Sequence, residues 1–281
     1  MKNANPSRYV TRSVERALTI LQLFIVGEAE IGLSDISSRV GLHQSTVFRL
    51  LVTLASAGFV EQDGRTGRYR LGPSALSLGQ AFLRHSDLRQ IAEGPMAELR
   101  DRCGETVHLA TLVGAEVLYL EKLPGLHPIG LMSSRVGDRA PGHCTGLGKV
   151  LLAQEPEATV RESFRGGLRA YTPATITRME GLLSTLAQVR TAGFAIDDEE
   201  HEQGVVCVAA PIFDSRKVVA ALSVAGPAER IRQEIRGSHL TEQVLAAADE
   251  VSAKLGRVVA PDRAAREAPR PRRARRPASR R

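Results

Sequence analysis

The sequence predicts an α+β or α/β protein of two domains, the first helical with a β-hairpin and the second built on one sheet. Helical periodicity over residues 10–58 and a strand–turn–strand pattern directly after it predict the first domain. Alternation of strands with helices from residue 87 predicts the second, and 281 residues suffice for two cores. The expected boundaries are a first domain at 10–72, a linker helix at 73–86, a second domain at 87–258 and a tail at 259–281.

Two amphipathic helices are expected before residue 42. Ser13 is placed to cap the first helix, whose apolar face supplies core to the domain. Ser34 can cap the second helix, because a serine hydroxyl can accept a hydrogen bond from a free N–H of the first turn. Gly41 follows the second helix and supplies a tight turn. The two helices and the one that follows therefore predict a helix-turn-helix.

The third helix covers the segment LHQSTVFRLLVTLASAG, and Gly58 ends it. Ser45 and Arg49 project from the side opposite an apolar face, which favours a surface that enters DNA. Packing in a small helical bundle is the alternative. Whether Phe48 packs inward or touches a thymine methyl group is open at this stage. The apolar face consists of Val47, Leu50, Leu51 and Leu54.

A two-stranded wing is predicted from the segment FVEQDGRTGRYRLG, in which two Gly-containing dipeptides mark the turn. Three arginines place positive charge at its tip and edge, where a hairpin can reach phosphates or the minor groove. Gln44 and Arg49 are expected to read base edges, while Ser45, Thr46 and the wing arginines hold phosphates. The predicted DNA-binding residues are Ser34, His43, Gln44, Ser45, Thr46, Arg49, Thr53, Arg65, Arg68 and Arg70.

A linker helix is predicted to begin at Pro73 and run to about residue 85. Its apolar side chains point to more than one side, which favours pairing with a second subunit, although packing on its own wing domain is the alternative. A homodimer or homotetramer is therefore expected. Two wings related by a dyad predict a pseudo-palindromic operator in double-stranded DNA.

Charge and composition limit the classes of protein to consider. Residues 1–85 carry a net +4, residues 86–261 a net −4, and the arginine-rich end accounts for the formal +7. That end has no apolar periodicity, so we expect a disordered tail, and its contact with DNA is an open alternative. No apolar run has the length of a bilayer span, which favours the cytoplasm and no membrane partner. Three cysteines without a CxxC pair predict free thiols.

The second domain is predicted to contain one mixed or antiparallel sheet flanked by helices. Strand-like segments include ETVHLATLV, AEVLYLEKL, IGLMSS, FAIDDEE, GVVCVAAPIFD and KVVAALSVAG. Helices are expected near 88–102, 145–153, 177–192, 228–236 and 241–255. The free N–H groups at the start of the second of these can face a carboxylate, although its glycines also serve a turn and close packing. The acidic residues Glu199, Glu200 and Glu202 are interpreted as a solvated turn.

Two kinds of chemistry compete with ligand sensing. His201 and Cys207 are close enough in sequence for a thiolate pair, yet the valines around Cys207 favour an inert thiol. His143 and Cys144 could join them around zinc, but the paired spacing of zinc ligands is missing. We therefore expect no enzyme, no catalytic residue, no metal and no cofactor. A general nucleoid-binding protein that relies on its basic tail is a further alternative.

The segments GLHQSTVFRLLVTLASAGFVEQ, GRYRLG, SRVGDRAPGHCTGLGKVLLA and GFAIDDEEHEQGVVCVAAPIFD carry a resemblance to a known family. Over nearly all of residues 10–258 the chain resembles the IclR family of bacterial transcriptional regulators. The resemblance implies a winged helix-turn-helix, a linker helix used in dimerisation and a GAF-like, mixed-sheet effector domain that binds a small metabolite. Such proteins commonly repress, and sometimes activate, operons for the catabolism of carboxylic or aromatic acids.

The resemblance also implies an effector pocket lined by Asp197, Cys207 and Ser223. Some family members carry a second serine where this chain has Ala225, so a glyoxylate- or pyruvate-like ligand is less expected than a larger, more apolar acid. A plain buried thiol is the alternative role of Cys207. The expected effector is a small organic acid. The predicted effector-binding residues are Thr145, Gly146, Leu147, Asp197, Val205, Cys207 and Ser223.

Overall fold

The computed structural model describes residues 10–25, 28–84, 87–127 and 134–257. It divides into two compact units, one ending at Gln90 and the other beginning at Ile91. Most of the strand-like segment IGLMSS, and the predicted tail, lie outside the described residues. None of the helices in the described part combines the length and apolarity needed to span a bilayer.

Within its described residues, the first unit contains four helices and a hairpin. Their bounds are α1 (Arg12–Gln22), α2 (Leu33–Val40), α3 (Gln44–Ser56), β1 (Val60–Gln62), β2 (Tyr69–Leu71) and α4 (Pro73–Arg84). Ile20, Ile36 and Val47 are fully buried in one cluster, so each of the first three helices contributes an apolar face to a shared core. Tyr69 of the wing joins that cluster and bridges to Ile31.

The two predicted serine caps are wrong. α1 begins after Thr11 and α2 begins after Gly32, and neither capping position makes a side-chain hydrogen bond. Ser13 and Ser34 therefore lie inside the first turn, beyond the position from which a hydroxyl reaches the free N–H groups. The predicted turn at Gly41 is confirmed, since this glycine has φ +66° and ends α2 in the left-handed conformation.

The wing is an antiparallel hairpin in which Val60 lies opposite Leu71. Its turn is built by Asp63, whose Oδ1 accepts hydrogen bonds from the backbone N–H groups of Arg65 at 3.0 Å and Thr66 at 2.7 Å. These bonds define the turn at the tip of the hairpin. The predicted wing is thus present as a two-stranded hairpin. α4 begins after it, at Pro73.

The second unit is an α+β structure, and its described residues form one six-stranded sheet. The strands are β3 (Thr106–Val113), β4 (Glu116–Leu123), β5 (Arg139–Pro141), β6 (Ala195–Asp198), β7 (Val205–Phe213) and β8 (Val218–Pro227). Their spatial order is β5-β4-β3-β8-β7-β6. Every pairing among the described strands is antiparallel, so the mixed-sheet alternative is wrong. Short turns join β3 to β4 and β7 to β8, and such connections permit only antiparallel neighbours.

Helices cover both faces of this sheet. Their bounds are α5 (Asp87–Cys103), α6 (Gly146–Leu152), α7 (Glu157–Ser163), α8 (Met179–Ala192), α9 (Ala228–Arg236) and α10 (His239–Lys254). Ala209 and Ala221 pack with Leu147 of α6 on one face. Gly226 belongs to the opposite face by strand alternation, and an added Cβ there would lie 3.2 Å from Ile231 of α9. The candidate effector residues lie on the α6 face.

Candidate functional site

α3 has one buried face and one polar face, as its sequence predicts. Val47, Leu51 and Leu54 are buried. Gln44 and Arg49 are exposed, and within the described residues the Arg49 guanidinium has no hydrogen-bond or ion-pair partner. Because the helix contains no acidic residue, this outward surface carries only positive charge.

Several of the other predicted DNA-binding residues on α2 and α3 form local hydrogen bonds. His43 caps α3, accepting a hydrogen bond at Nδ1 from the Ser45 backbone N–H at 3.4 Å, and the same nitrogen lies 2.8 Å from Ser45 Oγ. Thr53 donates its hydroxyl proton to the carbonyl of Arg49 at 3.0 Å. Thr46 is half-buried, whereas Ser34 is exposed on α2.

Phe48 points away from the core, so the inward packing that the sequence left open is not observed. Its side chain is 48% exposed, and Val52, one turn further along α3, is 51% exposed. Both residues lie beside the row formed by Ser45 and Arg49. The outward surface of α3 is therefore part polar and part apolar.

Two of the three wing arginines are bound to the protein itself. Arg68 donates to the Glu30 carbonyl at 2.8 Å and forms an ion pair with Glu28 at 2.7 Å. Arg70 pairs with Glu61 on the neighbouring strand at 3.2 Å. Arg65 lies at the turn, and its guanidinium has no partner in the described part of the chain. Glutamates of the same unit thus neutralise two of the three charges that the sequence places on the wing.

The predicted effector residues meet between the sheet and α6. Asp197 lies opposite Cys207 in the β6–β7 register, and Ser223 lies opposite Ala209 on the neighbouring pair. A Cβ on Gly146 would come within 2.7 Å of Cys207 Sγ, so the first turn of α6 packs directly on the thiol. Buried Leu147 follows in the same turn, and Val205 is on the same face of β7, two residues before the cysteine.

The first turn of α6 already has an internal cap. Thr145 Oγ1 accepts a hydrogen bond from the Gly148 N–H at 3.2 Å and donates to the Pro141 carbonyl at 2.8 Å. Ser223, by contrast, is 1% exposed and its hydroxyl has no hydrogen-bond partner among the described residues. A polar group of a ligand can therefore satisfy this hydroxyl.

Burial dominates the electrostatics of this site. It raises the pKa of Asp197 to about 7, against the opposing effects of the Glu200 backbone N–H and the Lys149 ammonium. Asp197 Oδ1 accepts from the N–H groups of Glu200 at 2.8 Å and His201 at 3.4 Å. Burial and the nearby Asp197 carboxylate raise the pKa of the Cys207 thiol to about 12. The thiol is accordingly uncharged and unreactive at neutral pH.

A buried ion pair beneath this site was not predicted. Lys149 of α6 is 2% exposed, pairs with Glu200 and donates to the Ile196 carbonyl at 2.6 Å. Glu200 is 8% exposed, and Thr175 donates a hydrogen bond to its backbone carbonyl at 2.6 Å. The interpretation of Glu200 as part of a solvated turn is therefore wrong. A lysine inside the apolar segment GLGKVLL was the available sequence signal.

His108 is a second residue that the sequence analysis missed. It lies opposite Ser223 in the β3–β8 register, and its Nε2 is 2.9 Å from Ser134 Oγ. The Tyr119 ring lies with its centroid 5.2 Å from the histidine ring. Burial lowers the pKa of His108 to about 3, so the ring is neutral. Together with Asp197, Cys207 and Ser223 it extends the polar surface across the sheet.

The metal and thiolate alternatives gain no support from the geometry. Within the described residues, no group of three or more histidine, cysteine, aspartate or glutamate side chains is arranged to hold a metal ion. His143 uses Nε2 for the Arg169 carbonyl at 3.0 Å. Burial raises the pKa of Cys144 to about 12, as it does that of Cys207.

Two family models match this chain. Residues 13–64 match the model described as the IclR helix-turn-helix domain, and residues 80–253 match the model described as bacterial transcriptional regulator IclR C-terminal. The HTH-type transcriptional regulator XynR of Escherichia coli K12 is 40% identical over 249 residues, which cover 88% of this chain and 98% of that protein. The transcriptional repressor IclR of the same strain is 35% identical, with 89% and 92% covered.

Solved structures show the same architecture. A putative IclR transcriptional regulator from Silicibacter sp. TM1040 has a TM-score of 0.79 at 31% identity, covering 89% of this chain and 98% of that one. An IclR homologue from Microbacterium hydrocarbonoxydans, complexed with 4-hydroxybenzoate, has a TM-score of 0.72 at 30% identity and covers 86% and 98%. These relatives are transcriptional regulators and not enzymes.

Proposed function

The chain belongs to the IclR family of bacterial DNA-binding transcriptional regulators, and from this premise we propose that it represses a catabolic operon under the control of a small organic acid. Repression is supported by relatives such as the transcriptional repressor IclR and the acetate operon repressor of Salmonella typhimurium. Its place of action would be the cytoplasm, where the operator is.

The outward face of α3 is the observation that supports a DNA-binding role for particular residues. In a helix-turn-helix the second helix of the motif lies in the major groove and its first turns meet the bases. Gln44 and Arg49 occupy those turns with free side chains, while His43, Ser45 and Thr46 lie where phosphates approach. Arg65 extends the positive surface at the wing tip. Ser34, Thr53, Arg68 and Arg70 contribute at the edge of this surface.

The Arg49→Ala variant tests this assignment. We expect it to weaken binding to the duplex upstream of its own gene by about tenfold or more, because a bidentate contact to guanine is worth ~1–3 kcal/mol, and to affect random duplex much less. Fluorescence anisotropy on both duplexes measures this. Arg178→Ala removes the same charge from an exposed position in the other unit and should change neither affinity. Equal loss on both duplexes would reduce Arg49 to a phosphate contact.

The effector site is proposed at the polar surface between α6 and the sheet. Asp197, Cys207 and Ser223 offer a carboxyl, a thiol and an unpaired hydroxyl within apolar walls, which suits a small acid with an apolar body. Thr145, Gly146, Leu147 and Val205 complete the lining. The solved relative that holds 4-hydroxybenzoate supports an aromatic acid, and Ala225 in place of a serine leaves this wall more apolar.

Calorimetric titration of the wild-type chain with 4-hydroxybenzoate, benzoate, pyruvate and glyoxylate tests the effector class. We expect an aromatic acid to bind, and Ser223→Ala to weaken it about tenfold, since a buried hydrogen bond to a charged group contributes ~1.5–3 kcal/mol. Ser215→Ala, in an exposed turn, is the matched control. An unchanged affinity in Ser223→Ala would remove this residue from the site.

We further propose that the regulator acts as a homodimer or homotetramer. Leu76, Leu78 and Phe82 of α4 are more than half exposed, at 68%, 63% and 57%. Val14 and Leu18 of α1 are similarly exposed, at 57% and 53%. Apolar rows on two helices of one unit are typical of surfaces that a partner covers. Effector binding would then change the spacing of the two wings, by the ligand's differential affinity for the two arrangements.

A further inference from the structure

An apolar row runs along the outward side of α3, formed by Phe48 and Val52. The two side chains are separated by one helical turn and are 48% and 51% exposed. Gln44 precedes Phe48 by four residues and continues the same row, and Ser45 and Arg49 form the next row around the helix. The apolar row is thus embedded in the surface that the proposed function assigns to base recognition.

The fold of the unit does not account for this row. Val47, Leu51 and Leu54 already fill the core side of α3, so Phe48 and Val52 add nothing to it. Phenylalanine and valine are also poorer helix formers than alanine or leucine, by roughly half a kcal/mol each on an exposed surface. A contact outside the unit would account for both residues.

The chemistry of the major groove limits what that contact can be. Each base pair presents hydrogen-bond donors and acceptors there, and the one apolar group is the C5 methyl of thymine. We propose that Phe48, supported by Val52, contacts a thymine methyl group in each operator half-site and is a specificity-determining residue beside Arg49. This inference rests on the proposed function, because it requires α3 to lie in the major groove.

Selection from a randomised duplex pool tests the proposal with the full wild-type chain, Phe48→Ala and Arg49→Ala. We expect the wild type to select a dyad-related consensus with a thymine at one position of each half-site. Phe48→Ala should lose the preference at that position alone, and Arg49→Ala should lose it at a different position. Leu126→Ala, which truncates an apolar side chain that is 60% exposed in the other unit, should leave the consensus unchanged.

Replacement of the selected thymine by deoxyuridine removes only the methyl group. For the wild type we expect about fourfold weaker binding per half-site, the value of burying one methyl group. 5-Methylcytosine at the same position should bind more tightly than cytosine by a similar factor. Phe48→Ala should not distinguish either pair. Its melting temperature should match that of the wild type, since the removed side chain is not part of the core.

Each contrary result has a distinct meaning. A thymine preference, or a deoxyuridine effect, that survives in Phe48→Ala would overturn the methyl contact while leaving the proposed function intact. A shift of Phe48→Ala from dimer to monomer in sedimentation would also overturn it, by assigning the row to a subunit contact. Failure of the wild-type chain to select any consensus would overturn the proposed function itself, and the methyl contact with it.

Discussion

Asp197 is the residue whose environment has the largest consequence for the candidate effector site. Its carboxyl group is buried, and the nearest ammonium, that of Lys149, is already paired with Glu200. Cys207 faces it from β7 as a neutral thiol, and the imidazole of His201 follows in the adjoining turn. With no cation of its own among the described residues, this carboxyl group retains its proton up to about pH 7.

Because the folded chain binds this proton more tightly than the unfolded chain, the free energy of unfolding should depend on pH. The pKa of Asp197 rises from 3.8 in the unfolded chain to about 7 in the folded one, so between these values the folded state binds more protons. The contribution of Asp197 to stability therefore falls as pH rises from about 4 to 7, by up to roughly 1.4 kcal/mol per pH unit, and is constant above. Asp197→Asn removes this pH-dependent loss of stability. In urea titrations, the free energy of unfolding of the variant relative to that of the wild type should therefore increase from about pH 4 to pH 7.

The exposed Ser215, in a turn of the same unit, provides the control. Ser215→Ala removes no titratable group, so it should give a stability curve parallel to that of the wild type from pH 4 to pH 8. A parallel curve for Asp197→Asn as well would show that its carboxyl group ionises alike in the folded and unfolded chains.

Sequence reasoning found some residues of this site and missed others for a physical reason. Asp197 and Cys207 were named from the family's segments. Glu200 was misread because an acidic run resembles a solvated turn, and its partner Lys149 is 51 residues away. Such a pairing depends on how α6 docks on the sheet, which spacing along one chain does not reveal. His108 was missed because its polar neighbours, Ser134 and Ser223, come from distant segments.

Among the elements, those with several turns of regular periodicity were predicted well. α3 was recognised from its apolar spacing, and α9 has the predicted bounds. β5, with three residues, and α7, with seven, were not foreseen, because neither is long enough to establish a period. The serine caps failed because the backbone turns into the helix earlier than residue type suggests.

The packing of α6 on the preceding 3₁₀ turn (Gly142–Cys144) depends on Gly148. A Cβ at this position would lie 2.2 Å from the Gly142 carbonyl oxygen and 2.3 Å from its Cα. Because both atoms are backbone, a rotamer change cannot relieve the overlap. Gly148→Ala should therefore lower the free energy of unfolding by about 3 kcal/mol or more, measured by urea denaturation.

Gly181→Ala in α8 is the matched control. Its nearest neighbour would be Ile176 Cγ2 at 3.5 Å, an ordinary contact. This variant should be neutral or more stable by up to ~1 kcal/mol, the difference in helix propensity. Similar urea-denaturation midpoints for Gly148→Ala and Gly181→Ala would show that α6 and the 3₁₀ turn can move apart with little loss of stability.

At the scale of the whole molecule, the exposed apolar rows of α1 and α4 bear on assembly. Leu76→Glu combined with Phe82→Glu places two charges on the α4 row, so the proposed dimer should dissociate in sedimentation experiments because burying unpaired charge is unfavourable. Operator affinity should fall with it, since a monomer contacts one half-site. Leu126→Glu is the control on an exposed apolar site elsewhere. An unchanged sedimentation coefficient for the double variant would place the subunit contact elsewhere.

The general plan of the chain was predictable, whereas the strand order was not. The strands β3, β4, β7 and β8 were legible in the sequence as apolar segments between helices, as was the wing. The pairing of β3 with β8 joins residues that are 111 to 119 positions apart, and no local turn signal encodes it. The antiparallel arrangement follows from the short hairpins only once these neighbours are known.

The anchoring of Arg68 to Glu28 and to the Glu30 carbonyl has a thermodynamic consequence for the proposed contact of the wing with DNA. Together with the turn held by Asp63, it gives the hairpin its shape before any duplex arrives. A loose hairpin would have to lose conformational entropy on association, and that loss would offset part of the favourable contacts. The preorganised hairpin avoids this loss of entropy. Ordering of the hairpin is therefore expected to subtract little from its contribution to affinity.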